Sequence, residues 1–373
     1  MTPDRAPLVR YRLDLDVLRS MLGLDESSSA RAVVRAARAV SPGFEAFALS
    51  LAAAEGIPLG SGARGEVERA RKRVAEYEDI TGRAARLGDA RVVKGPSLAR
   101  YYPRDLVRSM VDLDLVVPDE AALWRVVRGL TDRLDAYRLD VSVTSHEGVR
   151  HLVTAVSWPT DDALLDADLK VEVTTVVHVG DCRGVPIRPG VADEPVVADL
   201  MALAEERFQH PFGPKDAIDV AVLLGSPAAP AAAEIVDAAR AYRLAPELLE
   251  LIDHAGTQPG LLTHVNADLV AALRADADTE GERRLATPLP GAGARETDAR
   301  RRLARELPVH GLLLRDADRA DWPVSRIEAF AQGALLLTPL ADFVLVGQEL
   351  VSQELYQAAL RALEANRFAR EGA

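Results

Sequence analysis

Apolar positions recur at helical spacing from residue 8 to 85. Val17, Leu18, Met21 and Leu22 form one stripe. Ser27 to Ser29 offer an N-cap before Ala30–Val40, Ser41-Pro42-Gly43 interrupts, and Phe44–Ala54 resumes. Gly60-Ser61-Gly62-Ala63-Arg64-Gly65 matches a dinucleotide fingerprint by letter. An Ala-rich helix precedes it rather than a strand, so it reads as a loop. Glu66–Leu87 predicts a charged, exposed helix in which Arg69, Arg71, Lys72 and Arg73 are balanced by Glu66, Glu68, Glu76 and Glu78.

From residue 88 the period shortens. Val92-Val93 ends a strand at Lys94-Gly95, a helix-like run spans Ser97–Val107, and Asp112–Val117 reads as a second strand. Side chains alternate along a strand, so Leu113 and Leu115 face the core while Asp112 and Asp114 share the other face. Two neighbouring acids on a mostly apolar strand repel each other and cost desolvation. A bound cation removes both penalties; a solvated strand end is the plainer reading of the same triplet. Pro118, Asp119 and Glu120 open a helix to Leu134. Strands follow at Leu139–Ser145, His151–Trp158 and Leu169–Val177. In the last, Leu169, Val171 and Val173 alternate with Asp168, Lys170, Glu172 and Thr174.

Helices are expected over Glu194–Phe208 and from Lys215 onward. Past a Pro/Ala linker, Pro227–Ala233, they are expected over Ala232–His254 and Val265–Ala275. Ala277–Asp298 is polar and reads as mobile. Val309–Leu314 predicts a short strand, Trp322–Phe330 a helix, Ala334–Val346 an apolar run and Gln348–Phe368 a terminal helix. The pattern divides into an N-terminal helical region (1–87), a core (88–225) and a mainly helical C-terminal accessory domain (226–373).

With 48% apolar and 27% charged residues in 373, the chain suits a globular protein with a real core. A net charge of −12 disfavours broad nucleic-acid binding, because an acidic surface repels phosphate backbones. The single cysteine, Cys182, excludes an intrachain disulfide, which fits a reducing cytoplasm. No apolar run is long enough to span a bilayer, and Met1–Asp14 lacks a signal-peptide core, so no membrane association is expected. None of the seven histidines shows a metal-ligand spacing.

The order VVKGPSLARYY … RSMVDLDLVV resembles the minimal nucleotidyltransferase fold of the DNA polymerase β superfamily. It is similar to a bacterial branch whose pattern is a strand, Lys-Gly, a small-residue helix, a Tyr and Arg-x-x-x-Asp-x-Asp. Lys94, Gly95, Tyr102, Arg108, Asp112 and Asp114 match that pattern. Pro96 departs from the usual Gly-Ser or Gly-Gly and supplies no N–H. The resemblance covers 88–225 and implies an α+β fold, a small mixed sheet flanked by helices.

It also implies metal-dependent transfer of an NMP from a nucleoside triphosphate such as ATP (EC 2.7.7-like chemistry). The acceptor is a hydroxyl or similar group on an unidentified small molecule or protein. Asp112, Asp114 and a third acid from a neighbouring strand are its catalytic and metal ligands. Glu172 is the first choice and Asp168 the second, because both lie on one strand face and alternation does not separate them. All-oxygen ligands favour Mg²⁺ or Mn²⁺. Lys94, Gly95, Ser97, Arg108 and Lys170 fall where the family handles the nucleotide. Ala204-Glu205-Glu206-Arg207 and Lys215-Asp216-x-x-Asp219 resemble two pieces of abortive-infection type nucleotidyltransferases, which adds Lys215 and Asp216; Glu206 stands where that family has Lys. From the residues alone, Asp216 is equally a helix cap. A non-catalytic scaffold of the same fold, or a toxin-type nucleotidyltransferase, remain the alternatives.

Overall fold

The structure is a computed structural model that describes residues 7–181, 184–286, 296, 298–347 and 351–371; Cys182 lies outside them. In chain order come β1 (Val9–Tyr11), α1 (Leu15–Met21), α2 (Ala30–Val40), α3 (Phe44–Ala54), α4 (Ser61–Gly88), β2 (Arg91–Val93), α5 (Gly95–Ala99), β3 (Leu113–Val116), α6 (Glu120–Thr131), β4 (Arg138–His146), β5 (Val149–Trp158) and β6 (Leu169–Thr174). Then follow α7 (Pro195–Glu205), a 3₁₀ turn (Glu206–Phe208), α8 (Pro214–Gly225), α9 (Ala232–Ala241), α10 (Ala245–Thr257), β7 (Leu262–Val265), α11 (Ala267–Ala286), α12 (Ala299–Ala304), β8 (Val309–Asp316), β9 (Arg326–Phe330), β10 (Gly333–Leu337), β11 (Ala341–Val346) and α13 (Gln353–Glu371). Contacts group these into two compact units. One comprises Met1–Asp79, Val92–Leu113 and Val177–Leu289, the other Ile80–Arg91, Asp114–Val176 and Pro290–Ala373.

The first unit is helical. Its core joins Phe47, Leu98, Leu200, Met201, Ile218, Leu223, Leu248 and Leu251 in one cluster. α7 is buried on nearly every side, as its sequence requires: from Pro195 to Ala204 only Asp199 is polar. Side-chain caps start the helices where the sequence placed them. Asp14 accepts from Val17 N and Ser29 from Ala32 N, satisfying amides that have no partner inside the helix. β1 and β7 pair antiparallel, Val9 opposite Val265.

The second unit carries the mixed sheet, with strands in the order β3-β6-β5-β4-β8-β11-β10-β9. α6 packs on β5 and β6. β4 and β5 form a hairpin paired from Arg138–Ser157 to His146–Val149. β8 joins β4 over Val141–Val143, and a glycine is required there: a Cβ on Gly311 would sit 2.4 Å from Val141 Cγ1. Arg150, Trp124 Nε1 and both Ser325 donors converge on the Glu120 carboxylate.

Several expectations are corrected. β1 lies in a region expected to be wholly helical. Gly60-Ser61-Gly62 opens no loop, since α4 begins at Ser61 and absorbs the glycines that follow. The helix-like run from Ser97 stops at Ala99, two turns early; Pro103 disfavours helical conformation in the residue before it. Trp322–Phe330 is a turn and strand β9, and the apolar run Ala334–Val346 is the β10–β11 hairpin. Both hairpin strands are buried at every position, so they show no alternation to distinguish them from a helix. The sheet is larger than the small one expected, because 309–346 adds four strands to a region expected to be mainly helical. Part of the polar 277–298 stretch is helical to Ala286; 287–295 and 297 lie outside the described residues. Among the described residues, no helix is long and apolar enough to cross a membrane.

Candidate functional site

β2 ends at Val93 and the chain turns sharply. Lys94 has φ +60° and ψ −142°, and Gly95 has φ +41°. Glycine tolerates this region; lysine does so only under strain, at a cost of about 1–3 kcal/mol. The turn is held from α7. Asp199 Oδ1 accepts from Lys94 N at 2.7 Å and Oδ2 from Ser97 Oγ at 2.8 Å. Arg100 braces the same serine, donating to its carbonyl at 2.6 Å and its hydroxyl at 2.7 Å. Asp199 is fully enclosed, and burial pushes its pKa up to about 6 against the opposing pull of Ser97, Lys94 N, Arg100 and Arg108. The Lys94 ammonium meets Glu206 at 2.6 Å, on the 3₁₀ turn after α7, and His210 stands 3.5 Å from the same carboxylate.

Behind the turn lies a buried ionic triad. Arg108 Nε and Nη2 donate to the two oxygens of Asp219, each at 2.8 Å, and the Tyr102 hydroxyl donates to the same carboxylate. Arg108 Nη1 also reaches Gly95 O at 3.4 Å. Burial alone would lift Asp219, but Arg108 outweighs it and holds the carboxyl below its ordinary value. Tyr102 shifts upward through burial and Asp219. Arg108 therefore braces the turn from inside rather than reaching out to a ligand. Asp216 accepts from Gly213 N at 2.8 Å, so it is a helix cap in this arrangement. Lys215, one residue earlier, is half-buried; burial and then the Arg108 charge depress its pKa.

Leu113 and Leu115 are fully buried, while Asp112 and Asp114 are half-buried on either side of Leu113, in step with strand alternation. On β6, next to β3 in the sheet, Lys170 and Glu172 are half-buried between Leu169, Val171 and Val173. Lys170 pairs with Glu172, and Tyr137 donates to Asp168. Among the described residues, no group of three His, Cys, Asp or Glu is gathered to hold a metal ion. The oxygen donors of Asp112 and Asp114 suit a hard divalent cation in kind. Lys170 occupies one oxygen of the Glu172 carboxylate, Oε1.

A second buried cluster was not expected. Glu205 accepts from Gly180 N at 2.6 Å and pairs with Arg188. His178 is fully buried, 4.6 Å from the Tyr242 ring and with Nδ1 3.8 Å from Glu205 Oε2, and among the described residues neither ring nitrogen has a hydrogen-bond partner. Burial, then the Arg188 and Lys94 charges, push its pKa down to about 3. The one sequence signal for both clusters was the acids of α7: Asp199 interrupts an apolar run, and such a residue needs a partner when buried.

The chain matches no family model, and no curated protein and no solved structure matches it.

Proposed function

We propose that the chain is a nucleotidyltransferase that moves an NMP from a nucleoside triphosphate to a hydroxyl or similar acceptor on a small molecule or protein. The observation that carries the reading is the Lys94 turn. A strained lysine fixed by a buried, ionisable carboxylate is costly to folding, and such costs cluster at binding sites. A Lys-Gly turn at the end of a strand offers what a polyphosphate needs, a cation beside backbone free of a Cβ.

In this reading Lys94 balances triphosphate charge after exchanging Glu206 for it. Gly95 admits the close approach of phosphate oxygens. Ser97 acts through Asp199, and Arg108 acts through Gly95 and Asp219 by keeping the turn rigid. Lys215 supplies further positive charge; Asp216 starts the helix that carries it. Asp112 and Asp114, with Glu172 once Lys170 is displaced, are the ligands for Mg²⁺ or Mn²⁺, which supplies charge neutralisation on the triphosphate and a more acidic acceptor hydroxyl.

The test is incubation with each labelled triphosphate, Mg²⁺ and a metabolite or protein extract, then mass spectrometry for an added nucleotide. The reading is lost if no product forms, or if Asp112→Ala forms as much as wild type. A second reading, a nucleotide-free scaffold, is favoured by one fact: Lys94 and Lys170 are each already paired with an acid. Calorimetry with ATP, CTP, GTP and UTP separates the two, since a scaffold binds none.

A further inference from the structure

Over its first ten residues, Pro195–Ala204, α7 carries one acid, Asp199, among apolar side chains, and that acid is fully enclosed. Packing does not call for it, because a helix buried all round is satisfied by apolar side chains. Asp199 forms no ion pair among the described residues. Its two oxygens are divided between one backbone N–H, that of Lys94, and one hydroxyl, that of Ser97. Those two donors flank Gly95-Pro96, so the carboxylate closes the turn like a bracket.

We propose that Asp199 is the positioning residue of the nucleotide site, holding Lys94–Ser97 in the strained conformation from which the Lys94 side chain is presented. The proposal rests on the nucleotidyl-transfer reading. Only an ionised carboxylate accepts from both donors at once; a neutral carboxyl or an amide accepts from one and turns a donor toward the other. The groups that face it are the Arg100 and Arg108 cations and the Tyr101 phenol, with Glu194 at the start of the same helix. Arg108 is itself bound by Asp219 from α8. None of these replaces the two bonds, which hold the turn from α7.

Hydrogen exchange on the full chain tests this by comparing peptides over Lys94–Leu98 with peptides over the β4–β5 hairpin. Asp199→Asn lowers protection at Lys94–Leu98 by at least about tenfold, the equivalent of one lost hydrogen bond, and leaves the hairpin unchanged. Lys94→Gly placed in the Asn variant restores protection, because glycine adopts positive φ without the clamp. If Asp199→Asn fails to fold, Ser97→Ala removes one of the two bonds and gives a smaller, local loss.

Turnover adds a separate readout. Asp199→Asn lowers kcat/KM. If wild type transfers no nucleotide while the exchange pattern holds, the clamp stands and the nucleotidyl-transfer reading falls. Exchange in the turn within about twofold of wild type, or no rescue by Lys94→Gly, overturns the proposal itself.

Discussion

Removing the Asp219 carboxylate is the sharpest test of how unit Met1–Asp79, Val92–Leu113, Val177–Leu289 is held together. Asp219 and Arg108 are both enclosed, joined by two 2.8 Å bonds, with the Tyr102 hydroxyl on the same carboxylate. Asp219→Ala leaves a guanidinium buried without its counter-charge, a change that costs about 3–5 kcal/mol. Tyr102→Phe removes one bond to a charged acceptor that Arg108 still satisfies, so it costs about 1.5–3 kcal/mol. Replacing both ends with apolar groups, Arg108→Met with Asp219→Leu, removes the unpaired charge and returns stability close to wild type. The assay is urea unfolding followed by far-UV ellipticity. All three tryptophans, Trp124, Trp158 and Trp322, belong to the other unit, so their fluorescence follows that unit separately. The reasoning is refuted if Asp219→Ala loses less than about 1.5 kcal/mol, or if the double substitution is no more stable than Asp219→Ala alone.

Asp112→Asn lowers nucleotide transfer by more than about tenfold, roughly 1.4 kcal/mol in the barrier, as measured by mass spectrometry of product. Glu206→Gln removes the carboxylate charge facing Lys94 and tightens triphosphate binding by about threefold to tenfold in calorimetry, the scale of a half-exposed ion pair. Asp199 is raised from 3.8 to about 6, so the folded state holds its proton more tightly than the unfolded chain, and stability falls as pH rises from about 4 through 6. The size is about 3 kcal/mol, and the difference between wild type and Asp199→Asn, followed by urea titration from pH 4 to 7.5, isolates it. Glu120→Ala strands Ser325 N, Trp124 Nε1 and Arg150 together, costing about 2–4 kcal/mol and shifting Trp124 fluorescence.

How far the sequence revealed this arrangement depended on whether a local period was present. β4, β6 and α6 each bury one face, so alternation or a helical stripe marked them within a few residues, while β5 is buried on both faces from Thr154 to Trp158. β10 and β11 are covered on both faces and carry no period, and β9 follows a Trp-Pro turn whose apolar spacing mimicked a helix. Lys94, Gly95, Ser97 and Arg108 were legible as a motif, but their partners were not. Asp199 and Asp219 lie more than a hundred residues further on, and no local rule pairs residues at that separation. The same limit hid the bracing role of Arg108, whereas capping by Asp216, three residues from Gly213, was one of the two readings its position left open.

The interior of the unit that holds Lys94 carries its carboxylates unequally. Asp219 has a guanidinium in full contact and is held low, so its charge favours the folded state at neutral pH. Asp199, Glu205 and Asp216 are all raised by burial, so their charges oppose folding there. Fold stability alone would select apolar replacements at those three positions, since removing an unfavourable buried charge is neutral or stabilising when the packing is kept. Two of the three bind backbone N–H groups at irregular points of the chain, Lys94 and Gly180, and the third binds Gly213 N at the start of the helix carrying Lys215. The unfavourable charges are thus spent on fixing turns, and two of those turns carry a lysine. In the proposed reading, those turns present cations to an anionic ligand.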